Sequence, residues 1–416
     1  MNFIPIALSI ILLDIIAIWG IKKAFPKFYD LYWKGIRRAF VIQIILSLVI
    51  VIIGSILEHR TRDYRAFALY YYLIGILATV YLPKGLFALF LLVDWIVAAI
   101  SRRRRRVNDL FPRQSRRIIA RLGCWASIVF ACLVIWGVLF GRYNNTVELV
   151  DVIIDDLPPA FNEYKIVQIS DIHAGSSAGF TRHFQKAVDL INQQEPSLIV
   201  FTGDMVNNFA EEITSLVPVF AQLNARDGKY AVLGNHDYGG YYEWNNPADS
   251  VANHEALETA IEQMGFVLLK NQSVVVSRYN LDRMALIGIE NYGFNERHPK
   301  RGDLEKAMDS VQNVPFKVLL SHDPKFWPEK VEGKTDIALT LSGHTHGMQM
   351  GMKLFGIYFS PAPLLGFRYG AGLYQTGKQH LYVNRGLGII GFPGRIGASP
   401  EITVITLWKS KSPEQQ

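Results

Sequence analysis

The chain is poor in cysteine and in charge. Its 416 residues hold two cysteines, Cys124 and Cys132, both inside one apolar stretch. This excludes a disulfide framework and leaves no thiolate for a metal site beyond residue 132. Any metal bound there must be held by histidine, carboxylate or amide. Charged residues make up 19% against 50% hydrophobic, short of the roughly 25% charged expected of a soluble domain. A disordered or fibrous chain is excluded, and a membrane component is indicated. Acid is scarce at one end only. Residues 1–145 carry 20 Lys and Arg against 6 Asp and Glu, and residues 146–416 carry 23 against 30. The basic excess lies among apolar segments, where it describes membrane topology. The acidic remainder argues against a nucleic acid as partner.

Long hydrophobic runs are abundant in the first third. Residues 3–20 and 40–57 each approach the ~20 residues that cross a bilayer. Residues 66–100 form a longer run interrupted by Leu82-Pro83-Lys84-Gly85, and residues 118–140 form a fourth. The first run has no basic leader and no small-residue cleavage site, so it reads as a retained helix. The loops at 21–39 and 101–117 are strongly basic, the latter through Arg102 to Arg106. The positive-inside rule wants both in the cytoplasm, so 66–100 must cross once. The arginine run reads as a topogenic stop, with anionic headgroups as a second use. Everything after residue 140 is then expected outside the cytoplasm. Asp14, Lys84 and Asp94 fall in apolar runs and are expected to pair between helices or to lie near an interface. The expected division is a helical membrane domain over 1–145 and a second domain over 146–416.

In the second domain the pattern changes to short apolar runs ending in glycine-rich polar turns. Candidate strands are 164–170, 198–202, 230–233, 273–277, 284–289, 316–321, 337–341, 380–384 and 402–408. Most are rich in Val, Ile and Leu, as strands buried on both faces are. Helical periods such as 181–194 and 255–264 lie between several of them, which gives an α/β class. Ligands in such sheets collect beyond the carboxyl ends of strands. Five candidate strands run straight into residues that bind metals: Asp171 and His173; Asp204 after Gly203; Asn235, His236 and Asp237 after Gly234; His322; and His344 and His346 after Gly343. Five of the chain's 10 histidines sit at these ends. Imidazole with carboxylate suits Mn, Fe or Zn. On an extended segment Asp171 and His173 would point the same way, as would His344 and His346. Asp204 is the carboxylate best placed to bridge two cations.

These blocks resemble the calcineurin-like metallophosphoesterases, whose pattern is D-x-H, G-D, G-N-H-D/E, a lone H and G-H-x-H, each after a strand. All five occur in order. Downstream, residues 382–388 (YVNRGLG), Arg395 and 400–402 (PEI) look like the membrane-associated phosphohydrolase branch. The resemblance covers roughly residues 160–408 and implies a four-layer αββα sandwich. It implies one metal held by Asp171, His173, Asp204 and His346, and another by Asp204, Asn235, His322 and His344. His236 would be general acid or charge stabiliser beside the phosphate, oriented by Asp237. Asn207 stands where many relatives have Asp, and Met348 where glycine is common. The implied chemistry is attack on a phosphoester by a metal-activated hydroxide. Three functions stay open: a membrane-anchored phosphoesterase on lipid or headgroup phosphates, a tethered phosphodiesterase or nucleotidase on soluble substrates, and an inactive metal-binding receptor or scaffold. The apolar stretches 354–359 and 363–367 favour the first, unless they are core. Asp323 reads as a turn residue with Pro324, and His59, His183, His254, His298 and His380 as surface or packing residues.

Overall fold

The computed structural model describes residues 3–60, 64–103, 113–177, 179–279, 282–293, 300–355 and 357–410. The arginine side chains of 102–106, the side chain of His59, His298 and the tail 411–416 lie outside the described residues. The chain divides into two compact units, Met1–Leu139 with Gly391–Gly394, and Phe140–Ile390 with Arg395–Gln416.

The first unit is four helices: α1 (Phe3–Ala24), α2 (Pro26–Arg60), α3 (Tyr64–Arg103) and α4 (Arg113–Leu139). Each is long and apolar enough to cross a membrane. α3 runs unbroken through Pro83, so the third apolar run is one helix. A proline costs one backbone hydrogen bond, a loss that packed membrane helices absorb. The intramembrane charges are paired between helices, as their burial demands. Asp14 on α1 pairs with Lys84 on α3, and Lys23 on α1 with Asp94 on α3. Tyr81 donates to Asp14 over 3.0 Å, and Gln43 on α2 donates to Tyr81 over 2.5 Å.

The second unit contains β1 (Thr146–Ile154), β2 (Tyr164–Ile169), α5 (Thr181–Asn192), β3 (Leu198–Thr202), α6 (Val217–Phe220), β4 (Lys229–Val232), α7 (Pro247–Gln263) and β5 (Val267–Leu268). It continues with β6 (Gln272–Arg278), β7 (Asp282–Gly288), α8 (Leu304–Met308), β8 (Phe316–Leu320) and β9 (Leu339–Ser342). The remaining strands are β10 (Met352–Leu354), β11 (Ile357–Phe359), β12 (Gly372–Thr376), β13 (Gln379–Val383) and β14 (Glu401–Lys409). They form two six-stranded sheets, β1-β14-β2-β3-β4-β5 and β12-β13-β9-β8-β7-β6, and a small β10–β11 hairpin. The sheets face each other across an apolar layer. Ile166, Val200 and Ile405 from the first meet Leu286, Val318 and Leu339 from the second. Outside the first sheet, α5 to α7 bury Phe184, Phe220 and Leu257, and Trp327 and Val331 cover the second. The architecture is the four-layer αββα sandwich, preceded by a helical bundle.

Within the first sheet β2, β3 and β4 are parallel neighbours. Within the second, β8 and β9 are parallel. These five strands are the ones followed by the polar blocks.

Candidate metal centre

The eight residues singled out from the sequence come together. Asp171, His173, Asp204, Asn235, His322 and His346 are buried, and His236 and His344 are half-buried. Three clusters emerge whose ligand atoms lie within 4.8 Å of one another: Asp171, His173 and His346; Asp204, His322 and His344; and His173, Asp204 and His236. Asp204 Oδ2 is 3.1 Å from His322 Nε2 and 3.5 Å from His173 Nε2, between the first two clusters. Asn235 Oδ1 lies 3.1 Å from His322 Nε2.

The side chains do not arrive there on extended backbone. Asp171, His173, Asp204, His344 and His346 have φ of 51°, 44°, 61°, 71° and 53°. The expectation that alternation along a strand would aim each pair is therefore corrected. Each strand ends, and the chain turns through the left-handed region, which costs an L-residue roughly 1–2 kcal/mol. Gly203, at φ 95°, allows the turn after β3. Gly343 serves closeness instead, since a Cβ there would strike the side chains of Ser170 and Asp171. Met348 also has positive φ, 56°, which explains why glycine suits that position.

Neighbouring carbonyls fix the histidine tautomers. His322 Nδ1 donates to the Thr202 carbonyl over 2.7 Å, and His236 Nδ1 to the Asn207 carbonyl over 2.9 Å. Asn207 spends its amide N–H on Ser176, 3.0 Å away, so its oxygen accepts from His173 Nδ1 at 3.0 Å. The Nε2 lone pairs of His173 and His322 therefore point inward, where His173 Nε2 is 3.1 Å from His346 Nε2. His346 Nδ1 has no protein hydrogen-bond partner. Lone pairs facing lone pairs and carboxylates in a buried cluster need a cation between them. The donor set is imidazole, carboxylate and amide, and it fits divalent metal.

Electrostatics agree. Burial disfavours a charged His322, but Asp204 outweighs it and the imidazole is raised to about 10, a measure of the cluster's demand for positive charge. Burial and the neighbouring His236 push His173 well below the usual range. Burial also lowers His236 and His344.

Asp237 does not orient His236. Its carboxylate accepts from the backbone N–H groups of Asp204, Met205, Val206 and Gly234 at 2.7–3.2 Å, clamping the loop that carries Asp204. Burial, then the Asp204 charge, raise it to about 7. Asp323 accepts from Lys325 N over 2.9 Å, the turn role expected of it. His183 and His380 are buried packing residues.

Two participants escaped the sequence. Glu212 accepts from the N–H groups of Gly175, Asn207, Asn208 and Phe209 at 2.6–2.9 Å and braces the loop holding Asn207. An acid three residues into the turn that starts at Phe209 was the available signal. The Tyr241 ring stacks on His236, centroids 4.2 Å apart, and its hydroxyl accepts from Asn235 Nδ2 over 2.8 Å. Nothing in the spacing marks that tyrosine.

Two family models match the chain. The calcineurin-like phosphoesterase model matches residues 164–348, and a probable calcineurin-like phosphoesterase transmembrane domain matches residues 1–142. The metallophosphoesterase YkuE of Bacillus subtilis is 36% identical over 256 residues, covering 60% of this chain and 81% of that protein. A transmembrane protein with metallophosphoesterase domain from Danio rerio is 30% identical over 68% of this chain and 62% of its own length. Among solved structures, a dimetal phosphatase from Danio rerio aligns over 54% of this chain and 88% of its own, with 12% identity and a TM-score of 0.33. The chain belongs to the calcineurin-like metallophosphoesterase family. It is a membrane protein with four candidate spans ahead of a phosphoesterase domain, and membership implies divalent metal ions as cofactors.

Proposed function

We propose that the protein is a membrane-anchored phosphoesterase with two divalent ions, drawn from Mn, Fe and Zn. Asp171, His173, Asp204 and His346 hold one, and Asp204, Asn235, His322 and His344 hold the other. The observation that carries this reading is Asp204 Oδ2 lying within 3.5 Å of a histidine from each cluster. When bound, the ions neutralise phosphoryl oxygens and acidify water. The chain's own residues do the rest. Asn207 and the Thr202 carbonyl occupy Nδ1 of His173 and His322, so that Nε2 of each is aimed inward as the atom for a metal. Asp237 and Glu212 hold the loops rigid from behind. His236 has its Nδ1 proton committed to Asn207, so Nε2 is the nitrogen that takes up or gives a proton. An anionic ester opposes the burial that lowers its pKa, and His236 then stabilises or protonates the leaving oxygen.

The favoured substrate is a lipid-borne or headgroup phosphate. The membrane spans support this, as does Phe367, whose ring lies 6.1 Å from that of His344 at the centre's edge. By the basic loops, the catalytic unit lies on the extracytoplasmic side. Turnover of phosphomonoesters, diesters and phospholipids by the purified chain, with metal analysis, tests the function. Hydrolysis of soluble esters alone would leave a tethered diesterase or nucleotidase, and retained metal without any turnover would leave a scaffold. Protease added to spheroplasts should remove a C-terminal tag and spare one in the 101–117 loop. The reverse pattern would place catalysis in the cytoplasm.

A further inference from the structure

Between the last histidine block and β12 the chain turns its apolar side chains outward. Phe355 is 102% exposed, Leu364 88% and Leu365 60%, and Met352, Phe359 and Leu354 are about half exposed. Phe355 stands at the tip of the β10–β11 hairpin, with φ 51°. Leu364 and Leu365 lie on the short turn Ala362–Leu365, anchored by the fully buried Ala362. Such a concentration of exposed apolar groups marks an interaction surface.

Charge narrows the partner. From Ile337 to Pro400 there is no aspartate or glutamate, while Lys353, Arg368, Lys378, Arg385 and Arg395 fall in that stretch. Arg385 and Arg395 are buried and Lys378 pairs with Asp155 and Asp156, which leaves Lys353 and Arg368 as the exposed cations within 352–368. Arg368 is exposed, and Lys353 is paired with Glu148 on β1 at 2.6 Å. Lys325 lies 5.2 Å over the Phe367 ring, which itself adjoins His344. Apolar tips with cations behind them match a lipid–water interface, where side chains enter the acyl boundary and cations meet phosphate. Covalent connection supplies the bilayer. The same chain carries four candidate spans, and β1 begins at Thr146, seven residues past the end of α4.

We infer that residues 352–355 and 358–367 dock on the lipid–water interface of the membrane, with Phe355 and Leu364 among the acyl chains and Arg368 and Lys325 at headgroup phosphates. The inference extends the phosphoesterase reading without depending on it, because insertion is measured without catalysis.

The test uses full-length protein in lipid nanodiscs, in a Cys124→Ser, Cys132→Ser background. A single cysteine is introduced as Phe355→Cys, Leu364→Cys or Tyr279→Cys and labelled with an environment-sensitive fluorophore. Tyr279 is 81% exposed beyond β6 and serves as the aqueous reference. Labels at 355 and 364 should be quenched by doxyl-labelled phosphatidylcholine and should resist aqueous iodide several-fold better than the label at 279. Doxyl quenching at either position upholds the proposal, and quenching at neither overturns it. In a second measurement, Phe355→Ser with Leu364→Ser should lower turnover of a phosphoester carried in vesicles several-fold and leave a soluble nitrophenyl phosphoester unaffected. Equal loss on both esters would count against docking. Absence of any turnover in the unmutated chain would sink the phosphoesterase reading and leave the quenching result standing.

Discussion

Buried carboxylates are handled differently in the helical unit and at the candidate metal centre, and the contrast separates glue from a binding site. In the helical unit each buried carboxylate among the described residues meets an ammonium group, Asp14 with Lys84 and Asp94 with Lys23. The two pairs lie nine residues apart along α1 and ten along α3, with acid and base exchanged between the helices. They therefore fix the register of two parallel helices, the best-attested use of a buried pair. In the α/β unit Asp171 and Asp204 meet imidazoles, at 3.2 Å for His346 and 3.1 Å for His322, whose other nitrogens are committed to carbonyls or lack a partner. A cluster that balances its own charge is structural. One that collects lone pairs without balancing them is built for something that arrives from outside.

The largest test of that contrast is Asp204→Asn. Losing the shared carboxylate should reduce hydrolysis to background and lower bound metal, read by elemental analysis. Near-normal turnover with full loading would break the assignment. Next, His236→Ala should keep its metal and lose roughly 10²–10⁴-fold in rate, the usual contribution of a positioned acid. Metal loss in that variant would make His236 a ligand. A smaller effect is expected of Asn207→Ala, which frees the His173 ring. Metal affinity should fall about 10–100-fold in a chelator titration, and unchanged affinity would show that the ring needs no such orientation. Smallest, Lys84→Met should destabilise the detergent-solubilised chain by about 1–2 kcal/mol with metal content unchanged. Adding Asp14→Asn should recover part of the loss. If Lys84→Met abolished hydrolysis with metal intact, the helical cluster would be more than glue.

The sequence showed the five blocks because most follow strands rich in Val, Ile and Leu, and a strand buried on both faces is the easiest kind to read. It missed β1 for the complementary reason. Leu149 and Ile153 on that strand are exposed although apolar, while Val152 and Ile154 are buried, so its apolar residues do not mark one face, and its pairing partner β14 lies some 250 residues away. The positive-φ turns were hidden as well, because Asp and His tolerate that region without needing glycine. Apolar content in 354–367 was read correctly, but whether it faced in or out depended on tertiary packing. Asp237 was visible as part of its block, but its role was not, because it acts through backbone N–H groups, which carry no residue identity.

The five left-handed residues at the centre have a consequence for how much of the protein a cell keeps. Their conformations are held by the surrounding packing, and ions that bind only the folded form would add about 2.7 kcal/mol when present at 100 times their dissociation constant. Quality control acts on the fraction of chains that open, and 1–2 kcal/mol changes abundance several-fold. Under the two-ion reading, scarcity of the metal would thin the population of molecules as well as idle each one, so that the amount of this protein at the membrane would itself report the metal supply.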